Sequence, residues 1–247
     1  YNDDGTWGAG FNGGNPIAKI HSGSLDERVT NYFRGVLKLK YKPTDDLSIA
    51  ATYSPQYKDF DRDNFNATWV WKDGSNAEPE TDHLLNNSLL KQTNQAFTDN
   101  FNVVINYSKD FGDHSLSALA GYEFLKFQSE TWNANRRRFV LQEFRNLNNG
   151  DSDTQLNSGS STQNGLESVF GRINYAYKGK YLFEANVRRD ASSRFAEGFR
   201  ASTFPSFSLG WRVTQEDFFP DDSFINNLKI RGSWGQLGNQ FIFDNNG

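Results

Sequence analysis

Phe170-Gly171-Arg172-Ile173-Asn174-Tyr175-Ala176-Tyr177 runs through Lys178-Gly179-Lys180 into Tyr181-Leu182-Phe183-Glu184-Ala185-Asn186-Val187-Arg188, and this stretch decides the fold. Along a strand, successive side chains point to opposite faces. Before the turn, the odd positions Val169, Gly171, Ile173, Tyr175 and Tyr177 are apolar, while Arg172 and Asn174 point the other way. After it, Tyr181, Phe183, Ala185 and Val187 oppose Glu184, Asn186, Arg188 and Asp190. A turn that pairs odd with odd gives both strands one apolar side. The expected register sets Asn174 opposite Glu184 and Arg172 opposite Asn186.

The same period-two pattern marks eight segments, roughly 31–42, 47–56, 98–109, 115–129, 166–178, 180–193, 203–214 and 227–238. Most are longer than the usual globular strand of about 5–6 residues. They match the roughly 9–11 residues with which a tilted strand crosses a bilayer. Short connections at Pro43–Asp46, Asp110–His114 and Lys178–Lys180, with a medium one at Gln215–Asn226, alternate with long polar stretches at about 57–97 and 130–165 and a moderate one at 194–202. Membrane barrels keep that parity of tight turns and long loops. Tyr41, Tyr107, Tyr175, Tyr177, Tyr181 and Trp211 fall on the apolar side beside the shorter connections, where an aromatic girdle would lie. The opposite side carries Arg34, Lys38, Lys40, Arg172, Glu184, Arg188, Arg212, Lys229 and Arg231, a density of charge that needs water or partners. A soluble sandwich with tyrosines at its strand ends fits the same periodicity, so that alternative stays open.

Composition bounds the rest. The chain has 247 residues, enough for one large domain or two small ones. Hydrophobic residues make up 36% and the 21 glycines lift the apolar share to about 44–45%, which argues against wholesale disorder. Aromatics reach 15% and prolines number only 6, a strand-and-loop composition. No apolar run approaches the roughly 18–20 residues of a membrane helix, though barrel strands escape such a test. The net charge of -4 speaks against a nucleic-acid partner bound through its phosphates. With no cysteine there is no disulfide framework and no thiolate chemistry. Methionine is absent too, and no signal-like segment precedes Tyr1, so we expect an internal piece of something longer.

Motifs for chemistry are weak. Gly8-Ala9-Gly10-Phe11-Asn12-Gly13 spells G-x-G-x-x-G, but a polar stretch precedes it and Pro16 follows with no helix pattern, so we read a loop. His21, His83 and His114 are scattered without metal spacing. Asn149-Gly150-Asp151-Ser152-Asp153 offers oxygens but lacks a full calcium-ligand pattern. Arg136-Arg137-Arg138 marks a strand emerging into a loop, which we read as a solvated or lipid-headgroup-facing rim in preference to an anion site. Close carboxylate pairs such as Asp61/Asp63 lack the separation glycoside hydrolysis requires. We therefore assign no catalytic residue, no metal and no cofactor. Trp69, Trp71 and Trp132, with Asp73, Asn76, Asn133 and Asn135 nearby, combine flat rings with hydrogen-bonding groups suited to sugars or peptides. A girdle or loop packing explains the same rings, and we favour that reading.

Several of these stretches resemble the barrel of SusC/RagA-like TonB-dependent outer-membrane transporters. They are Phe170–Tyr175, Lys180–Arg188, Asp190-Ala191-Ser192-Ser193-Arg194-Phe195, Phe204–Arg212 and Leu228–Asn239, with looser likeness at Tyr1–Trp7 and Asn15–Ala18. Ala191 departs from the glycine more usual there. The resemblance implies an all-β, antiparallel transmembrane section of about eight long strands from a 22-stranded-type barrel, about a third of the wall. Residues 1–247 would then be part of one barrel domain, with plug and signal peptide absent. It implies the outer membrane of a Gram-negative bacterium, nutrient uptake of oligosaccharides or peptides, and a SusD-like surface lipoprotein and the TonB complex as partners. In that reading Arg172, Asn174, Glu184, Asn186, Arg188, Arg212 and Arg231 line the lumen, and the apolar side meets outer-membrane lipid. The competing expectation is a soluble all-β carbohydrate-binding module that uses its loop tryptophans.

Overall fold

The computed structural model describes residues 7–8, 15–72, 80–81, 87–220 and 223–240. In chain order its main elements are β1 (Trp7–Gly8), α1 (Pro16–His21), β2 (Leu25–Arg34), β3 (Leu37–Tyr41), β4 (Leu47–Asn66), β5 (Val70–Lys72), β6 (Glu80–Thr81), β7 (Ser88–Phe111), β8 (His114–Arg137), β9 (Leu156–Tyr177), β10 (Tyr181–Ser192), β11 (Ala201–Arg212) and β12 (Lys229–Gly235). One sheet runs β12-β11-β10-β9-β8-β7-β4-β2, with β3 also on β4, and a small sheet joins β1, β5 and β6. The chain divides into two compact units, residues 1–33, 57–96 and 129–162, and residues 34–56, 97–128 and 163–247.

In the second unit the register is the one the alternation predicts. The β9–β10 ladder is antiparallel and sets Asn174 opposite Glu184 and Arg172 opposite Asn186. Its turn is closed by the Lys180 N–H on the Tyr177 carbonyl at 3.0 Å. Lys178 and Gly179 both hold positive φ, 51° and 64°, the handedness that matches strand twist. Beyond it, Phe183 pairs with Leu209 and Ala185 with Phe207, which keeps the apolar residues of three strands on one side.

That apolar side is open. Val187 is 48% exposed, Ile173 49% and Leu209 60%. The buried hydrophobics among the described residues are Ala18, Phe65, Leu89, Phe139 and Val213, none from this stripe. The sandwich expectation fails here, because a sandwich core would have buried these side chains at roughly 1.5–3 kcal/mol each. In the same unit, the other side is polar and knitted together. Arg188 reaches Glu123 at 3.0 Å, Asp190 at 2.7 Å and the Ser168 hydroxyl at 2.7 Å. Its guanidinium lies 5.4 Å from the Phe170 ring centre. That ring in turn occupies the space a side chain at residue 121 would need, since a Cβ on Gly121 would stand 2.4 Å from it.

Three sequence expectations need correction. The segment 31–42 is two strands, broken at Gly35. Its N–H reaches the Pro55 carbonyl at 3.0 Å, and Pro55 has no N–H to return, so the ladder is interrupted there. The stretches 57–97 and 130–165 are not loops throughout, because β4, β7, β8 and β9 extend well into them. Alternation shows in a sequence only where one face is apolar, and here both faces are polar. Cross-strand side chains hold them instead: Thr93 to Asp61 at 2.6 Å, Gln95 to Asp59 at 3.3 Å, and the Lys91–Asp63 ion pair. Finally, a short helix, α1, does follow the glycine-rich stretch. Asn15 caps it by accepting from Ile17 and Ala18, and Pro16 starts it without sacrificing a bonded N–H.

The first unit has its own small core, in which Phe65 and Phe139 meet edge-to-face at 5.6 Å beside Leu89. Buried Asn87 acts as a piece of strand toward the chain that follows β8. Its Oδ1 accepts from the Phe139 N–H at 2.6 Å and its Nδ2 donates to the Phe139 carbonyl at 2.8 Å. Gln142 accepts from the Thr68 N–H and Arg145 donates to the Gly23 carbonyl, so residues 138–145 are tied down at several points.

Candidate functional site

Two polar surfaces are candidates for function. The first lies on β9–β12. Asn174 donates to Ser117 at 3.3 Å, and Asn186 donates to Glu184 at 2.9 Å. Arg231 lies opposite Gly210 and, with Asn174, Glu184 and Lys229, borders a cavity of about 450 Å³. Arg172 sits beside Asn186 in the ladder. Arg212 is spent on the turn, donating to the Gly179 carbonyl at 3.2 Å. These residues form small hydrogen-bonded sets and offer no nucleophile–base geometry.

At the turn end of this surface, Lys180 bridges Glu216 at 3.1 Å and Asp217 at 3.0 Å, and the Trp211 indole N–H donates to Glu216 at 2.9 Å. Hydrogen bonds from Tyr181 and Trp211, joined by the Lys180 ammonium, hold the Glu216 carboxyl down at about 2. A carboxyl that titrates lower when folded than when unfolded adds stability above its ordinary value, about 4.5, and that stability is lost as pH falls toward 2. We expect the stability of the folded sheet, followed by circular dichroism, to be unaffected by this carboxyl from pH 7 to about 4.5 and to weaken below it. Glu216→Gln should lessen that slope, Asp26 being held low by Arg62 and Arg28 as well; a slope unchanged in the variant would assign it to other carboxylates.

The second surface belongs to the first unit, on β7, β8 and β9. A groove of about 580 Å³ is bordered by Leu90, Asn133, Asn135, Arg137, Leu156 and Ser158. Asn133, Asn135 and Arg137 alternate along β8 and share a face. Ser158 donates to Asn133 at 3.1 Å, and the buried carbonyl oxygen of Asn135 has no hydrogen-bond partner among the described residues.

The tryptophan set is spread over several elements. Trp132 is a strand residue of β8, 49% exposed, and adjacency puts it on the face opposite Asn133 and Asn135. Trp69 is half-buried between β4 and β5. Trp71 lies in β5, of which only the backbone is described, and Asp73 and Asn76 fall outside the described residues. Among the other motifs, Gly8 pairs with Lys72 and its carbonyl accepts from Asn15, while residues 9–14 fall outside the described residues. His21 stacks on Trp7, His114 bonds the Tyr175 hydroxyl at 2.6 Å, and His83 is outside the described residues. Asp151 caps a short turn through the Asp153 N–H and pairs with Arg138 at 3.1 Å.

An open apolar side, a polar side rich in paired charge and long neighbouring strands together describe barrel wall. Residues 1–244 match the family described as TonB dependent receptor-like, beta-barrel. The chain belongs to the TonB-dependent receptor β-barrel family. Among curated members it is 33% identical to TonB-dependent receptor P3 of Formosa agariphila over 98% of this chain and 24% of that one. It is 32% identical to TonB-dependent receptor SusC of Bacteroides thetaiotaomicron over 62% of this chain and 15% of that one. The chain thus spans about a quarter or less of the length of these TonB-dependent receptors. Among solved structures, the RagAB peptide transporter shares the fold with a TM-score of 0.74 at 18% identity, over 88% of this chain and 24% of that one.

Proposed function

We propose that these residues form part of the wall of an outer-membrane transporter, energised through TonB, that imports oligosaccharides or peptides with a SusD-like surface lipoprotein. The observation that carries this reading is the uncovered apolar stripe of β9, β10 and β11 in a chain of this family. Such a stripe needs a lipid neighbour, because in water it would expose contiguous hydrocarbon. Residues 1–247 then belong to one barrel domain, with the plug carried elsewhere in the protein. Arg172, Asn174, Glu184, Asn186, Arg188, Arg212 and Arg231 face its water-filled interior, where paired charges are tolerated. Trp69, Trp71, Asp73 and Asn76 are external ligand contacts in this reading. Similarity in fold to a complex named as a peptide transporter is consistent with the peptide class.

These 247 residues contain no cysteine, so with any cysteine elsewhere in the receptor replaced by serine, one introduced here is the single label. Single cysteines at Val187, Leu209, Arg188 and Ser208 of the full-length receptor, carrying a bimane dye in vesicles, should divide by parity. Lipid-borne spin quenchers should dim the first two, and aqueous iodide the last two. Equal quenching at Val187 and Arg188 by either agent would refute the wall. Loss of substrate uptake on deleting TonB tests the energising step.

A further inference from the structure

We propose that the groove on β7, β8 and β9 holds an extended peptide, with a carboxylate of that peptide against Arg137. The inference rests on the transporter reading above and narrows it to one substrate class at one place. Asn133, Asn135 and Arg137 lie two residues apart on one strand face, so their polar ends recur about every 6.8 Å. An extended peptide presents its own outward amide groups at that same repeat. Each asparagine amide carries both a donor and an acceptor, the pair needed to bond a main chain. Leu90 and Leu156 border the groove and supply apolar contact for peptide side chains, Leu156 being well exposed. Among the described residues no aromatic ring lines the groove, which there lacks the stacking platform on which sugars usually rest. Arg137 is exposed and pairs with no acidic side chain among the described residues, which leaves its planar fork to a carboxylate from the ligand.

The test uses the full-length receptor and calorimetric titration with four probes. These are acetyl-Ala-Gln-Leu-Gln-Ala as the free acid, the same peptide amidated, an amidated version ending in Glu, and maltoheptaose. The free acid should bind the parent receptor, and Arg137→Ala should weaken it about tenfold or more while leaving the amidated peptide unchanged. Rescue by the Glu-ending amide would identify a side-chain carboxylate as sufficient; its failure to rescue would identify the chain terminus, and both outcomes support the site. Asn133→Ala with Asn135→Ala should weaken every peptide about tenfold. Arg137→Lys, which keeps the charge, should retain part of the affinity and controls for folding. The proposal is overturned if the parent binds none of the peptides, if Arg137→Ala binds the free acid as the parent does, or if only maltoheptaose binds. TonB-dependent uptake of maltoheptaose with groove variants unaffected would overturn the groove and leave the transporter standing. Absence of energised uptake of either probe class would remove both.

Discussion

Replacing Asn87 by Ala is expected to speed amide exchange at Phe139 by about 30- to 700-fold, the equivalent of about 2–4 kcal/mol of local stability. Asn87 is 3% exposed and Phe139 4%, so water does not readily replace the lost amide. The substitution leaves the Phe139 N–H and carbonyl without partners, and each buried orphan costs about 1–3 kcal/mol. The backbone bond from Arg138 N–H to the Asn87 carbonyl, at 3.1 Å, survives and limits the damage to the segment after β8. Hydrogen exchange read by mass spectrometry on the full-length receptor should show the change over residues 138–145 and little in β9–β11. Unchanged protection at Phe139 would mean that the aromatic cluster alone holds this segment.

Gly121→Val should destabilise the sheet by about 1–3 kcal/mol, the usual range for overpacking. The Phe170 ring stands where the new side chain must go, and it is wedged by Arg188, which is itself held by Glu123 and Asp190. The ring therefore cannot swing aside without disturbing an ion-pair set. Phe170→Ala alone should also destabilise, through lost ring contact. The double substitution should be less harmful than the two single effects added, because the clash is gone. Guanidinium unfolding in lipid vesicles, followed by tryptophan fluorescence, supplies all corners of the cycle. Strict additivity would show that ring and glycine do not communicate.

The sequence carried the lipid-height part of the architecture well. Phe183 against Glu184 and Ile173 against Arg172 encode face and register together, since a one-residue slip would reverse both. It carried the outer halves of the strands poorly. Asp59, Asp61 and Asp63 alternate with Phe60, Arg62 and Asn64, and such a run says little about strand or loop without an apolar face. That is also why the groove escaped notice: Trp132, Asn133 and Asn135 looked like one loop cluster, whereas a strand sends the ring one way and the amides the other. The spacing Asn133-x-Asn135-x-Arg137 was the available signal. The Gly121–Phe170 fit was invisible, because a glycine discloses its neighbour only once the backbone is in place.

The tight turn at Lys178-Gly179 bears on when, not only where, the sheet forms. A contact between Tyr177 and Tyr181 closes almost no chain, so its entropic cost is small compared with any pairing of distant strands. Hairpins of this kind zip in about 1–10 μs. The β9–β10 pair is thereby a nucleation seed: it can exist before β8 or β11 arrives, and each later strand adds to an edge whose spacing is already set.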